Sequence, residues 1–214
     1  MAGISLHPAL LLLAIYGMAL VIDIALTYSY SPLTALETGV GFALLLATAG
    51  FLWLTRRRPI LAGDGFAGLL LGLLWSIEIS INNFIAPPLP GRDIIDNGFW
   101  AAIGISMLVY AALRAHQANR LAGGLEAGIW TGLVSGLLAC CMALSVIVFA
   151  MPFITRDPLN LAEWAALGTA SSAPSMAAYF AFETFAGAFL HLVVLGVGMG
   201  GLVGLLGGLA GRIK

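Results

Sequence analysis

Long apolar stretches dominate the chain, and most polar residues fall between them. A membrane-spanning helix needs about 20 predominantly apolar residues. Six stretches approach or exceed this length, at residues 8–28, 38–54, 66–85, 98–113, 127–151 and 176–206. Because apolar residues do not strictly alternate with polar ones, the pattern excludes a transmembrane barrel. It predicts an all-α, polytopic membrane helix bundle with six transmembrane helices.

Composition supports this prediction. The 214 residues are 61% hydrophobic and only 9% charged, whereas soluble domains carry about 25% charged residues. The six spans leave only short connections, so we expect one integral membrane domain over residues 1–214. Asp157 followed by Pro158 is typical of a helix start, and apolar side chains follow. This predicts a short interfacial helix at about 158–168 on the outer membrane surface.

The positions of the basic residues predict the orientation. With six spans, Arg92 and Arg156 fall on one side of the membrane, and the other seven of the nine Lys and Arg fall on the opposite side. Cytoplasmic loops carry an excess of Lys and Arg. We therefore expect both termini to be cytoplasmic. The seven residues are Arg56, Arg57, Arg58, Arg114, Arg120, Arg212 and Lys214.

A short internal repeat suggests duplication of a helical hairpin. Leu61-Ala62-Gly63 recurs sixty positions later as Leu121-Ala122-Gly123. In this register the third and fourth spans correspond to the fifth and sixth. Sequence rich in Gly, Leu and Ala also produces chance matches, so chance similarity is the alternative.

Three carboxylates inside the spans are the strongest functional signal. Ionisable residues in membrane helices are rare and usually face the bundle interior. Asp23, Glu78 and Glu183 each lie about 8–11 Å from the outer end of their span, at a rise of about 1.5 Å per residue. Asn82 follows Glu78 by one turn on the same helix face. These four residues are therefore candidates for one ligand- or cation-binding site open to the outer side.

No Lys or Arg lies inside a span at this depth. The acids must therefore be protonated, hydrated, bound to a cation, or contacted by Arg92 or Arg156 from outside the spans. The functional interpretation is a proton- or cation-coupled site. The alternative is three separate neutral acids, each hydrogen-bonded across a helix interface.

His191 is a candidate cofactor ligand. Gly187 lies one turn before it and would leave room for a flat macrocycle, so His191 is a candidate haem or chlorin ligand. The alternative is a histidine that packs or donates a hydrogen bond within the bundle.

Glycines at four-residue spacing predict a close helix contact. The last span carries such a row, and small residues at this spacing let helices approach closely. The contact is either inside the bundle or with a protein partner or second copy of the chain. The row consists of Gly196, Gly200, Gly204 and Gly208.

The sequence therefore supports two functions almost equally. The layered acids favour a small permease-like transport protein. The Gly-rich faces, and the lack of spans broken by Gly or Pro, favour a non-catalytic accessory subunit of a larger membrane complex. A membrane enzyme ranks third because the sequence has neither H-E-x-x-H nor a P-loop, and it suggests no catalytic residue and no metal site. A net charge of −1 predicts membrane lipid, not nucleic acid, as a partner.

Overall fold

The computed structural model describes residues 6–56, 62–85, 91–168 and 170–211, and its regular structure there is entirely helical. Six of the seven helices, all except α6, are long and apolar enough to cross a membrane. The predicted all-α bundle of six spans is confirmed, and the chain has the architecture of a multi-pass membrane protein. The helices are α1 (His7–Tyr28), α2 (Pro32–Thr55), α3 (Ala62–Ser80, continued by a π-helical turn at Ile81–Ile85), α4 (Gly91–Ala118), α5 (Leu121–Ile154), α6 (Pro158–Leu167) and α7 (Met176–Ala210).

The helices extend beyond the apolar stretches that predicted them. α2 begins at Pro32 instead of residue 38 because Ser31 caps it: the Ser31 hydroxyl accepts the Thr34 N–H, and the Thr34 hydroxyl accepts the Ser31 N–H. α4 begins at Gly91 instead of residue 98. Hydropathy marks the part of a helix suited to lipid, whereas capping and backbone hydrogen bonds decide where the helix ends.

α5 is the central helix of the bundle. It packs against α1, α3, α4 and α7, and 61% of its most apolar segment is buried, compared with 22–44% for the other spans. A helix surrounded by other helices is apolar on all sides, as the α5 sequence is. α2 lies at the periphery and packs mainly against α1.

α5 and α7 contact each other through glycines on both helices. A Cβ atom added to Gly124 would lie 2.7 Å from Gly208 Cα, and one added to Gly136 would lie 2.7 Å from the His191 carbonyl oxygen. These distances are too short for any side chain, so the backbones touch directly. The antiparallel contacts pair Gly124 with Gly208, Gly128 with Gly204, Gly132 with Gly200, and Gly136 with Gly196.

This contact shows where the predicted glycine row lies. Gly196, Gly200, Gly204 and Gly208 are buried and form a helix-packing surface inside the chain. α5 covers the face that the sequence offered to a protein partner or second copy.

α3 and α5 run parallel and also meet through glycines. Gly68 packs against Val134, and Gly72 packs against Leu138. In the repeat register, Gly68 and Gly72 correspond to Gly128 and Gly132 of α5, which pack against α7. In both hairpins this glycine pair faces another span, although the duplication itself stays a prediction.

The two ends of the bundle differ in charge. Arg56, Arg114 and Arg120 lie at one end, here called the basic end; Arg57, Arg58, Arg212 and Lys214 lie outside the described residues. The opposite end, where α6 connects α5 to α7, is called the α6 end. The cytoplasmic position of the termini stays a prediction.

Candidate functional site

A polar pocket of about 270 Å³ lies at the α6 end of the bundle. The π-helical turn of α3, the start of α4, the end of α5, α6 and the first turns of α7 all contribute to its wall. Two of the other cavities, of about 300 and 380 Å³, are lined almost wholly by apolar residues of α2, α5 and α7. The polar lining residues of the α6-end pocket are Asn82, Asn83, Arg92, Asp157, Asn160, Glu163, Glu183 and Thr184.

The first pair of carboxylates at this end shares one amide group. Asn82 Nδ2 donates to Glu78 Oε1 across 2.7 Å and to Asp96 Oδ1 across 2.8 Å. Glu78 is only 6% exposed. Both amide hydrogens are therefore used, and Asn82 Oδ1 is buried without a hydrogen-bond partner among the described residues.

The second pair shares one hydroxyl group. Tyr179 Oη lies 3.0 Å from Glu163 Oε1 and 3.3 Å from Glu183 Oε1. A phenol has one hydrogen to donate, so it serves only one of these contacts at a time. The second contact is a hydrogen bond only when a carboxyl group donates it. The Glu163–Glu183 pair is thus suited to hold a proton.

An ion pair also lines the pocket. Arg92 Nη2 lies 2.9 Å from Asp157 Oδ2, and both side chains are largely buried. Asp157 Oδ1 also accepts the Leu159 N–H and so caps α6. Arg92 thus reaches the pocket, as the sequence allowed, but it pairs with Asp157 and not with a predicted site acid. Its charge is balanced there, and Glu163 and Glu183 leave the pocket wall negative.

The structure brings together part of the predicted site. Asn82 and Glu183 line the pocket, and Glu78 adjoins it through its hydrogen bond to Asn82. Asp23 does not join them: it is exposed on α1, and α1 contributes no residue to the pocket. Its depth was inferred from the helical rise, but depth does not specify the direction in which a side chain points.

Sequence reasoning missed most residues of this site, including Asp96, Asp157, Glu163 and Tyr179. One signal was available, because Tyr179 precedes Glu183 by four residues, the same spacing that linked Glu78 to Asn82. Asp96 precedes the predicted fourth span at 98–113 but lies within α4, which begins at Gly91. Glu163 reaches the pocket only because α6 folds over the bundle end.

His191 lies in an aromatic cluster. Its Nδ1 lies 2.7 Å from the Gly187 carbonyl oxygen, and its ring is nearly perpendicular to that of Trp75 at a centroid distance of 5.0 Å. Trp75 in turn contacts Trp100 at 5.2 Å. The haem or chlorin assignment stays a prediction. In the described ranges, no group of three His, Cys, Asp or Glu side chains is placed to hold a metal ion.

A second polar cluster lies at the basic end and was also missed. Asp64 Oδ1 accepts hydrogen bonds from Tyr110 Oη at 2.7 Å and from Arg114 Nε at 3.0 Å. Asp64 is 2% exposed. These contacts join α3 to α4 and satisfy the buried carboxylate, so this cluster has a structural role.

No protein-family model, curated protein or solved structure matches this chain. The function is therefore inferred from the chemistry of the pocket.

Proposed function

We propose that the protein is a proton- or cation-coupled transport protein whose solute site is the polar pocket at the α6 end. One observation carries the proposal. Glu78 and Asp96 share the amide of Asn82, at the wall of a pocket that the Glu163–Glu183 pair also lines.

Neither pair has a basic partner in the described ranges. The three ion pairs found there join Arg92 to Asp157, Arg114 to Asp64, and Arg120 to Glu126. Two adjacent carboxylates repel each other when both are ionised. Each pair is therefore stabilised when it holds a proton or a cation. Exchange of that ion for a solute is the chemistry that coupled transport requires.

Two π-helical segments support transport over a purely structural role. One, Ile81–Ile85, presents Asn82 and Asn83 to the pocket, and the other, His191–Gly198, lies in the middle of α7, which stays one helix from Met176 to Ala210. π-helical turns are frequent at functional sites, and helix discontinuities commonly mark transporter sites. The absence of broken spans had favoured the accessory subunit. The π-helical segment of α7 weighs against that argument, although α7 stays continuous.

The packing of the α7 glycines on α5 also favours transport over the accessory-subunit alternative, because that alternative relied on these glycines for docking. With cytoplasmic termini, as the basic residues predict, the pocket opens to the outer side.

The proposal is tested in liposomes that contain the purified protein and a pH-sensitive dye. Amines, amino acids, sugars and inorganic cations are added outside, one at a time. We expect at least one solute class to change the internal pH faster than in protein-free liposomes. Identical pH traces for every solute, with and without protein, would contradict the proton-coupled form of the proposal.

A further inference from the structure

We propose that the solute of this pocket is a small organic ammonium ion, a compact cation with several N–H donors and a short carbon chain. The proposal rests on the proposed function and specifies the solute class of the same site. It depends on the hydrogen-bonding groups that remain free in the pocket wall, on its charge and on its size.

The orientation of three asparagines makes the wall rich in acceptors. Asn83 Nδ2 donates to the Ile79 carbonyl oxygen across 2.8 Å, and Asn160 Nδ2 donates to the Ile154 carbonyl oxygen across 2.9 Å. A backbone carbonyl only accepts, so the amide nitrogen must face it and the amide oxygen must point elsewhere. Asn82 uses both of its amide hydrogens on carboxylates.

On the three asparagines, free acceptors therefore outnumber free donors. Among the described residues, each asparagine keeps both lone pairs of its Oδ1, whereas Asn83 and Asn160 keep one amide hydrogen each and Asn82 keeps none. Arg92 is the main free donor of the wall, and its buried Nε has no partner among the described residues. The buried Asn82 Oδ1 has no partner among the described residues, and an unsatisfied buried acceptor costs free energy that a donor would recover. A ligand with several N–H groups matches this wall.

The charge of the wall disfavours an anion. Arg92 is balanced by Asp157 at 2.9 Å. Glu163 and Glu183 both contact the Tyr179 hydroxyl and take part in none of the described ion pairs. An anion would meet these carboxylates, whereas an ammonium group would be attracted to both.

The size and the remaining lining residues favour an organic cation over a metal ion. The pocket has about 270 Å³, and Phe180 and Ile154 add apolar surface to its wall. A pocket near 300 Å³ is at the lower end of the range for small organic ligands. A short alkyl chain would contact this apolar surface while the ammonium group contacts the carboxylates.

The first test compares three probes of similar size on the purified wild-type protein. Propylammonium, tetramethylammonium and propionate are titrated separately, and binding is measured by calorimetry and by the shift in melting temperature. We expect propylammonium to bind at least about tenfold more tightly than tetramethylammonium, which lacks N–H donors and so forgoes a charged hydrogen bond. We expect no binding of propionate. Equal binding of propionate, or tetramethylammonium binding as tight as propylammonium, would overturn the proposal without any variant.

The second test removes the carboxylates one at a time. Glu163→Gln and Glu183→Gln should each weaken propylammonium binding about tenfold to a hundredfold, because each removes one charged hydrogen bond. Asp23→Asn removes an exposed acid outside the pocket and should leave the dissociation constant unchanged. Wild-type affinity in both glutamine variants would contradict the proposal.

The two proposals fail in different ways. Propylammonium binding without any solute-driven pH change would support the ligand class and contradict transport. A pH change driven by another solute class, with no propylammonium binding, would support transport and contradict the ligand class.

Discussion

Asn82 of α3 donates one amide hydrogen to Asp96 of α4 across 2.8 Å, and its second amide hydrogen goes to Glu78. A single neutral side chain thus joins two carboxylates from two helices. The arrangement predicts that Asn82, and not only the acids, determines the stability of this end of the bundle.

Replacement of Asn82 by alanine should lower the free energy of unfolding by about 1–3 kcal/mol, because the buried Glu78 carboxyl group loses its donor. Asn97→Ala is the matched control, since Asn97 is exposed on the next helix. Unfolding in detergent, followed by circular dichroism, measures both variants. In a double-mutant cycle with Glu78→Gln, we expect a coupling free energy of about 0.5–3 kcal/mol. Strict additivity would show that the two side chains do not interact.

The contact between α5 and α7 predicts that a glycine inside it and a glycine outside it respond oppositely to alanine replacement, measured as the free energy of unfolding. Gly128→Ala places a methyl group against the backbone of Gly200 and Gly204, so it should destabilise the protein by about 2 kcal/mol. Gly39→Ala enters open space on α2 and should stabilise the protein by about 0.5–1 kcal/mol, because alanine loses less backbone freedom on folding. The same unfolding assay compares them. If Gly128→Ala were as stable as Gly39→Ala, the backbone contact would not exist.

The polar cluster at the basic end predicts that replacing Arg114 costs much more stability than replacing Arg120. Arg114→Met leaves Asp64 buried with only Tyr110 as donor, and we expect a loss of about 3 kcal/mol, the lower end of the range for a broken buried pair. Arg120→Met breaks an ion pair whose side chains are 59% and 54% exposed, so the loss should be below about 1 kcal/mol. Equal losses in equilibrium unfolding would contradict this assignment.

The proposed orientation is tested with two single cysteines. Both native cysteines, Cys140 and Cys141, are buried and should react little with a membrane-impermeant thiol reagent. Glu126→Cys lies at the basic end and Leu161→Cys lies on α6, and both positions are exposed. With cytoplasmic termini, intact cells should be labelled at position 161 but not at 126. The reverse pattern would place the pocket on the cytoplasmic side.

The sequence predicted the architecture because hydropathy is a local property. Six apolar stretches identified six spans. Hydropathy did not locate the starts of two helices: α2 begins at the Ser31–Thr34 cap, and α4 already begins at Gly91, in a polar stretch. The short helix predicted at about 158–168 corresponds to α6 at Pro158–Leu167, and its start follows from local chemistry, since Asp157 caps the first turn. Its position on the outer membrane surface stays a prediction.

The site was only partly predictable because convergence depends on tertiary structure. The helical rise placed Asp23, Glu78 and Glu183 at one depth, yet it contained no information on the order of the helices around α5. Glu78 and Glu183 belong to helices that reach the pocket, and α1 does not. The glycine row of α7 predicted a close contact, and its partner became evident only from the antiparallel pairing with Gly124 through Gly136.

The measurement that tests the central proposal most directly is the internal pH of proteoliposomes during a propylammonium gradient. Wild-type protein, Glu78→Gln and the control Asp23→Asn are compared at equal protein density. If the paired carboxylates couple proton and solute movement, wild type and Asp23→Asn should show the same pH change beyond that of protein-free liposomes, and Glu78→Gln should lose it. An equal pH change in Glu78→Gln and wild type would contradict a coupling role for this pair.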